Sequence, residues 1–106
     1  MKLIQAIVRR EKEKEVVDHI GKSGASAYTR LDVFGRGRQK GLVAGTVRYD
    51  EVPKVLLMIT VRDEQVDPVV DAIKIASRTG NPGDGKIFVS GLEESRTIRT
   101  ASIDQG

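Results

Sequence analysis

The chain has 106 residues, no cysteine and no tryptophan, and its 18 basic and 15 acidic residues leave a net charge of +3. Without cysteine there are no disulfides, no thiolate chemistry and no zinc–sulfur sites. With only two Phe and two Tyr the core has to be aliphatic and base-stacking platforms are scarce, and so modest a cationic excess does not call for a nucleic-acid partner.

The length predicts a single domain over residues 1–106. Lys2–Val8 reads as a strand, apolar on both faces except at Lys2 and Gln5. It is too short to span a membrane and has no cleavage-site pattern, so a cytoplasmic protein without membrane insertion is expected. Glu11–Lys22 predicts a helix with Val16, Val17 and Ile20 as a narrow apolar face, closed by Gly24. Its Glu/Lys run offers i,i+3 pairs such as Glu11–Lys14 on a solvated face. Ala27–Phe34 predicts a second strand. Residues Gly35–Asp50 carry four glycines and no sustained period, which predicts a long excursion or hairpin loop of a length that is usually functional or disordered. Lys54–Val61 predicts a third strand, and the unbroken apolar run Val55–Ile59 predicts burial on both faces. A second helix starts between Asp63 and Asp67 and runs to Thr79, with Val66, Val69, Val70, Ile73 and Ala76 as its stripe. Asp67-Pro68 is the expected cap and first helical residue, with Asp63 competing, and Gly80 the expected stop. Lys86–Ser90 predicts a fourth strand, and Glu93–Gly106 a polar tail.

The order β-α-β-β-α-β is the ferredoxin-like, split-βαβ arrangement of an α+β fold. Right-handed crossovers put both helices on one side of the sheet. The first and third strands are apolar on both faces, so the other side needs a cover, and self-association is the economical one.

Two stretches carry chemistry, Gly35-Arg36-Gly37-Arg38-Gln39-Lys40-Gly41 and Thr79-Gly80-Asn81-Pro82-Gly83-Asp84-Gly85-Lys86. Each sets mobile backbone beside fixed positive charge, which suits a polyphosphate: glycine lets N–H groups turn inward, and arginine or lysine neutralises phosphate oxygens. Gly80–Lys86 has P-loop spacing, but Ile87 stands where Ser or Thr is required and the segment follows a helix instead of a strand. Gly35-Arg36-Gly37 likewise fails the dinucleotide fingerprint. Simple tight turns are the plainer reading of either stretch alone. The single histidine, His19, reads as a surface residue near Glu15, with no second base or nucleophile spaced to work with it. Asp84 can be read as polarising a water or as a turn residue, the commoner role.

Phe34 through Gly41, Pro53-Lys54, Arg78 through Val89 and Ile98-Arg99-Thr100 together resemble the PII nitrogen signal-transduction proteins over nearly the whole chain. The resemblance implies a non-enzymatic regulator, a homotrimer of ferredoxin-like subunits with ATP/ADP sites in the clefts between them. By position Gly35, Gly37, Arg38, Gly83, Asp84, Gly85, Lys86 and Arg99 match nucleotide-binding residues, with Ile7 and Thr29 near the base. Arg38, Lys86 and Arg99 would hold phosphate oxygens. Gln39 matches the ligand of a Mg²⁺ ion that also chelates 2-oxoglutarate. Lys40 and Gly41 join Gln39 at the 2-oxoglutarate position, and Lys54 matches the lysine that meets a carboxylate of this effector.

Two departures stand out. Thr97 falls where the family usually carries an arginine, with Arg96 beside it and pointing to the opposite face of an extended chain. The effector loop, about residues 37–53, is shorter than in ordinary members between Gly41 and Lys54. The short loop resembles the nitrogenase-associated branch, whose members act in pairs of related chains. The implied partners are therefore a nitrogenase component protein and a second PII-like chain. A general regulator of an ammonium transporter or a nitrogen-assimilation enzyme is the alternative, and a ferredoxin-like RNA-binding domain a remote one. Tyr49 lies closer to Lys54 than the family's nucleotidylated tyrosine does, which reads as a loop or contact residue, with modification as the other reading.

Overall fold

In the computed structural model the first strand, β1 (Lys2–Arg9), lies between two antiparallel partners, β5 (Val52–Val61) and β6 (Gly85–Gly91). The structure describes residues 1–25, 27–36, 42–44, 47–49 and 51–104. β2 (Thr29–Gly35) pairs antiparallel with the outer side of β5, giving the sheet order β2-β5-β1-β6. α1 (Glu13–Lys22) joins β1 to β2, and α2 (Val66–Ser77) joins β5 to β6. Between β2 and β5, β3 (Leu42–Ala44) and β4 (Val47–Tyr49) pair as a two-stranded hairpin. This is the ferredoxin-like α+β arrangement, with the hairpin expected in the glycine-rich excursion.

Alternation along the strands sorts the two faces. Ile4, Ala6 and Val8 of β1 and Val55, Leu57, Ile59 and Val61 of β5 are buried under Val16 and Ile20 of α1 and Val69, Ile73 and Ala76 of α2. The opposite face is bare within the chain: Leu3, Ile7, Leu56 and Met58 are only partly buried, while Leu31 and Phe88 are 43% and 50% exposed. The expectation that Val55–Ile59 is buried on both faces therefore fails inside one chain, because alternate residues of β5 turn away from the helices.

α1 closes as a Schellman motif, with Ala25 N–H donating to Ile20 O at 3.0 Å, Gly24 N–H to Gly21 O at 3.3 Å, and Gly24 at φ +103°. Ile20 and Ala25 are both buried in the core, the apolar contact this motif uses. Among the described residues the i,i+3 ion pair on the helix is Lys12–Glu15 at 3.7 Å, not Glu11–Lys14.

α2 differs from expectation at both ends. Neither Asp67 nor Asp63 caps it. A 3₁₀ turn over Asp63–Gln65 leads into Val66, with the Gln65 side-chain oxygen accepting from the Arg62 N–H at 3.0 Å. Asp63 instead takes the N-terminal amine at 2.8 Å. The helix ends at Ser77, whose hydroxyl donates back to Ile73 O at 2.6 Å, so Gly80, at φ +85°, belongs to the following turn. The expected polar tail is folded as well: Arg96 and Ile103 form an antiparallel bridge, Thr97 N–H donates to Ser102 O at 3.0 Å, and Asp104 accepts from the Ser95 and Thr97 hydroxyls at 2.6 Å each.

Ile73 and Ile75 test the core assignment on one helix, since Ile73 is fully buried and Ile75 is 73% exposed. Ile73→Ala is expected to cost about 2–5 kcal/mol in denaturant unfolding, and Ile75→Ala to stay within about 0.5 kcal/mol.

Candidate functional site

The loop from Arg78 to Asp84, between α2 and β6, is organised by one carboxylate. Asp84 Oδ2 accepts the N–H groups of Thr79 and Gly80 at 2.9 Å each, and Oδ1 accepts the Thr79 hydroxyl and Arg9 Nε–H, the latter at 3.1 Å. The Thr79 hydroxyl first, then the Thr79 and Gly80 amides and Arg9, hold this carboxyl far below the usual range, against the opposing push of desolvation. Asp84 is thus committed to shaping the loop, with both carboxylate oxygens engaged by its own turn and Arg9.

Two cations from neighbouring strands seize the loop from beneath. Arg9 and Lys54 are direct register partners on β1 and β5. The Arg9 guanidinium also donates to Pro82 O at 2.8 Å, and Lys54 Nζ donates to Gly83 O. Lys54 is only 7% exposed. Desolvation, then the charge of Arg9, push its pKa below the ordinary lysine value, with Glu11 and Asp84 pulling the other way. β6 leaves the loop at Gly85, φ +115°, where a Cβ would lie 1.8 Å from Ile7 O. Only glycine fits so close an approach of two backbones.

These contacts gather Ile7, Gly83, Asp84, Gly85, Lys86 and Lys54 at one end of the sheet. Lys86 is exposed and directly opposite Ile7. Gly35 is beside them, a Cβ on it falling 3.5 Å from Lys54 Cγ. Thr29 is not: it sits on β2 opposite Met58, three strand spacings from β6, or about 14 Å. Arg99 is also separate. β6 carries the chain to the other end of the sheet, where Leu92 N–H meets Met1 O at 3.2 Å, and Arg99 lies exposed in the turn beyond. No hydrogen bond or ion pair among the described residues ties that turn to the Arg78–Asp84 loop. Arg96 lies alongside Glu94, with two bonds at 2.9 and 3.1 Å, and the Thr97 hydroxyl is taken by Asp104. Gly37, Arg38, Gln39, Lys40 and Gly41 lie outside the described residues. Tyr49 is placed by its backbone in β4, opposite Leu42.

The loop fits a polyanion. Its carbonyls at Pro82 and Gly83 face Arg9 and Lys54, while among the described residues the Gly83 N–H makes no hydrogen bond. A backbone donor of this kind beside the exposed Lys86 suits phosphate oxygens. Among the described residues no group of three His, Cys, Asp or Glu side chains is placed to hold a metal ion. His19 is occupied locally, its Nδ1–H donating to Glu15 O at 2.8 Å. A pocket of about 350 Å³ flanks α1 between Glu13, Lys14, Asp18 and Tyr28, and none of the residues matched above lines it. Arg9 is the site residue that sequence reasoning missed. In the sequence it only ends an apolar run, and its partners appear once register sets it opposite Lys54.

Acid should loosen this loop first. The Asp84 carboxyl is lowered on folding, so its stabilisation is complete above the ordinary value of 3.8 and is lost as pH falls below that. Amide exchange, corrected for intrinsic rate, is expected to lose protection at Thr79 and Gly80 progressively as pH falls below 3.8 toward the depressed native value, and an Asp84→Asn variant to show that loss already at pH 5.

The family model for nitrogen regulatory protein P-II matches residues 1–102. The chain is 47% identical over 102 residues, 96% of its length and 97% of the relative's, to the nitrogen fixation nifHD region GlnB-like protein 1 of Methanobacterium ivanovii. It is 48% identical over the same shares to the protein of that name from Methanococcus maripaludis. It is also 44% identical to nitrogen regulatory protein P-II 2 of Methanothermobacter thermautotrophicus, across 94% of the chain and 90% of that protein. With a match that runs through both strand pairs, both helices and the Asp84 loop, the chain belongs to the P-II family of nitrogen regulatory signal-transduction proteins.

Proposed function

We propose that the chain is a nitrogen-status sensor that binds ATP or ADP with Mg²⁺ and 2-oxoglutarate, and regulates nitrogenase by protein–protein contact. It acts without catalysing a reaction, as a cytoplasmic homotrimer of single domains. The observation that carries this reading is the division of the matched residues. Gly35, Lys54, Gly83, Gly85 and Lys86 lie at one end of the sheet, while Thr29 and Arg99 lie apart from them in the same chain. A site that uses both groups needs two copies. The bare apolar face bearing Leu31, Leu56, Met58 and Phe88 gives copies a reason to associate.

In this reading the Gly83, Asp84 and Gly85 backbone, with Lys86 and Arg38, receives phosphate oxygens, and Arg99 reaches them from a neighbouring copy. Ile7 and Thr29 flank the base. Gln39 gives a neutral oxygen to Mg²⁺, which requires oxygen donors in octahedral order. Lys54 meets the far carboxylate of 2-oxoglutarate, with Lys40 and Gly41 beside it. Ligands act on the segment 37–53, and its altered conformation changes the fit to a partner. A coupling of about 2–3 kcal/mol shifts partner occupancy roughly 30- to 150-fold. The nitrogenase reading rests on relatives named for the nitrogen-fixation region and on the short loop. A second PII-like chain is a further partner of that reading, and Tyr49 serves as a contact residue.

Calorimetry tests the ligands. Lys86→Ala and Arg99→Ala are each expected to weaken ATP binding by about 1.5–3 kcal/mol, and Arg96→Ala, alongside Glu94, much less. 2-Oxoglutarate should bind with ATP and Mg²⁺ and fail with EDTA, and Lys54→Ala should abolish that response. Binding without metal, or an unaltered Lys54 variant, sinks the effector assignment. For assembly, Met58→Asp on the bare face is expected to give a folded monomer by light scattering and circular dichroism, where the unaltered chain gives a trimer. A monomeric unaltered chain at micromolar concentration removes the shared site.

A further inference from the structure

Among the described residues outside the loop, Arg9 is the side chain that holds two separate points of it at once. Its Nε–H goes to the Asp84 carboxylate and a terminal N–H to Pro82 O, so one planar fork spans the turn from both sides of Gly83. The same guanidinium closes the floor beneath that residue, because a Cβ on Gly83 would lie 3.4 Å from the nitrogen and 3.7 Å from Cζ. Lys54 holds a single point, Gly83 O. The two cations are register partners, and each is turned upward to a loop oxygen instead of outward to water.

We propose that Arg9 is the positioning residue of this loop: it keeps the Gly83 N–H and Lys86 presented to an anionic ligand, and it goes on doing so when Lys54 leaves Gly83 O. The second clause follows from charge. Lys54 is desolvated and sits beside another cation, so a carboxylate offered to it competes on favourable terms with a neutral carbonyl. Arg9 already has a carboxylate, held in turn by Thr79 and Gly80, and has no comparable reason to move. One jaw of the clamp is exchangeable and the other fixed. Lysine cannot replace the fixed jaw fully, because a point charge lacks the rigid fork that reaches two acceptors. The inference rests on the nucleotide reading for the identity of the ligand, but not for the clamp.

The test compares the full chain with Arg9→Met, Arg9→Lys and, as the neighbouring control, Arg10→Met. Hydrogen exchange is followed on the ligand-free proteins and ATP affinity by calorimetry. In Arg9→Met the 79–86 peptide is expected to exchange ~10-fold faster or more, with peptides from β5 and α2 unchanged, and ATP to bind ~10-fold more weakly. Arg9→Lys should fall between it and the unaltered chain, and Arg10→Met should match the unaltered chain in both. Adding 2-oxoglutarate with Mg-ATP should leave the 79–86 peptide protected in the unaltered chain and expose it in Arg9→Met. Loop exchange or ATP affinity in Arg9→Met within twofold of the unaltered chain overturns the proposal. Should Arg9→Met lose protection throughout, Arg9→Lys decides by the same criteria. If the unaltered chain binds no ATP, the nucleotide reading fails by itself, and the ligand-free exchange still decides whether Arg9 holds the loop.

Discussion

The register of β1 against its two neighbours is the constraint from which the site follows. Val8 is opposite Val55 on one side and Gly85 on the other, and one step along Arg9 is opposite Lys54. Because side chains alternate, Val8 goes into the core under the helices while Arg9 and Lys54 emerge together on the bare face, beneath the turn that ends at Gly85. A slip of β1 by one residue would turn Arg9 under the helices and expose Ile4, Ala6 and Val8. Burying that aliphatic face, worth about 1.5–3 kcal/mol per large side chain, therefore fixes where the charges sit. The core thus sets the geometry of this end of the sheet.

Within that geometry the loop resolves an electrostatic conflict. Two cations side by side and largely out of water repel each other, and desolvation alone already pushes the Lys54 pKa down. The loop answers with three oxygen acceptors, at Pro82, Gly83 and Asp84. Only one of them is charged, so the cluster keeps positive character toward solvent. Asp84 is a structural anion set among four donors, one of them the Arg9 guanidinium.

What the sequence made legible was what periodicity encodes. Val69, Ile73 and Ala76 at helical spacing, the alternation in β1, and the stop at Gly24 each depend on near neighbours in the chain. The loop itself was legible too, because Gly83-Asp84-Gly85-Lys86 is one contiguous motif. Contacts between distant segments were not. Arg9 gains its partners across 75 residues of chain, and nothing in Val8-Arg9-Arg10 signals that register. α2 starts within the expected range, at Val66, but its cap is not legible in the sequence, because Asp63 is spent on the N-terminal amine, a partner no local pattern names. The 95–104 turn was read as tail because Ser95, Thr97 and Asp104 bind through polar side chains and leave no hydrophobic trace. Its tip, with Ile98 98% exposed, buries nothing within the chain that a period could reveal.

Thr97 shows how a departure from a family pattern can be absorbed. An arginine there would carry charge toward a ligand. The threonine hydroxyl is instead tied to Asp104, whose other oxygen holds Ser95 and whose amide donates to Ser95 O at 2.8 Å. The turn that carries Arg99 is thus stiffened where a charge is lost. Both act on binding free energy, one by direct attraction and one by reducing the ordering that binding requires. On the proposed function this bears on assembly as well as affinity, because Arg99 would serve a neighbour's loop. A ligand bound only where two copies meet stabilises the assembled form by RT ln(1 + [L]/Kd), about 2.7 kcal/mol at a hundred times Kd. Nucleotide level, loop order and subunit association then become one linked equilibrium, biased from one side by Arg9 and from the other by the turn that Asp104 holds closed.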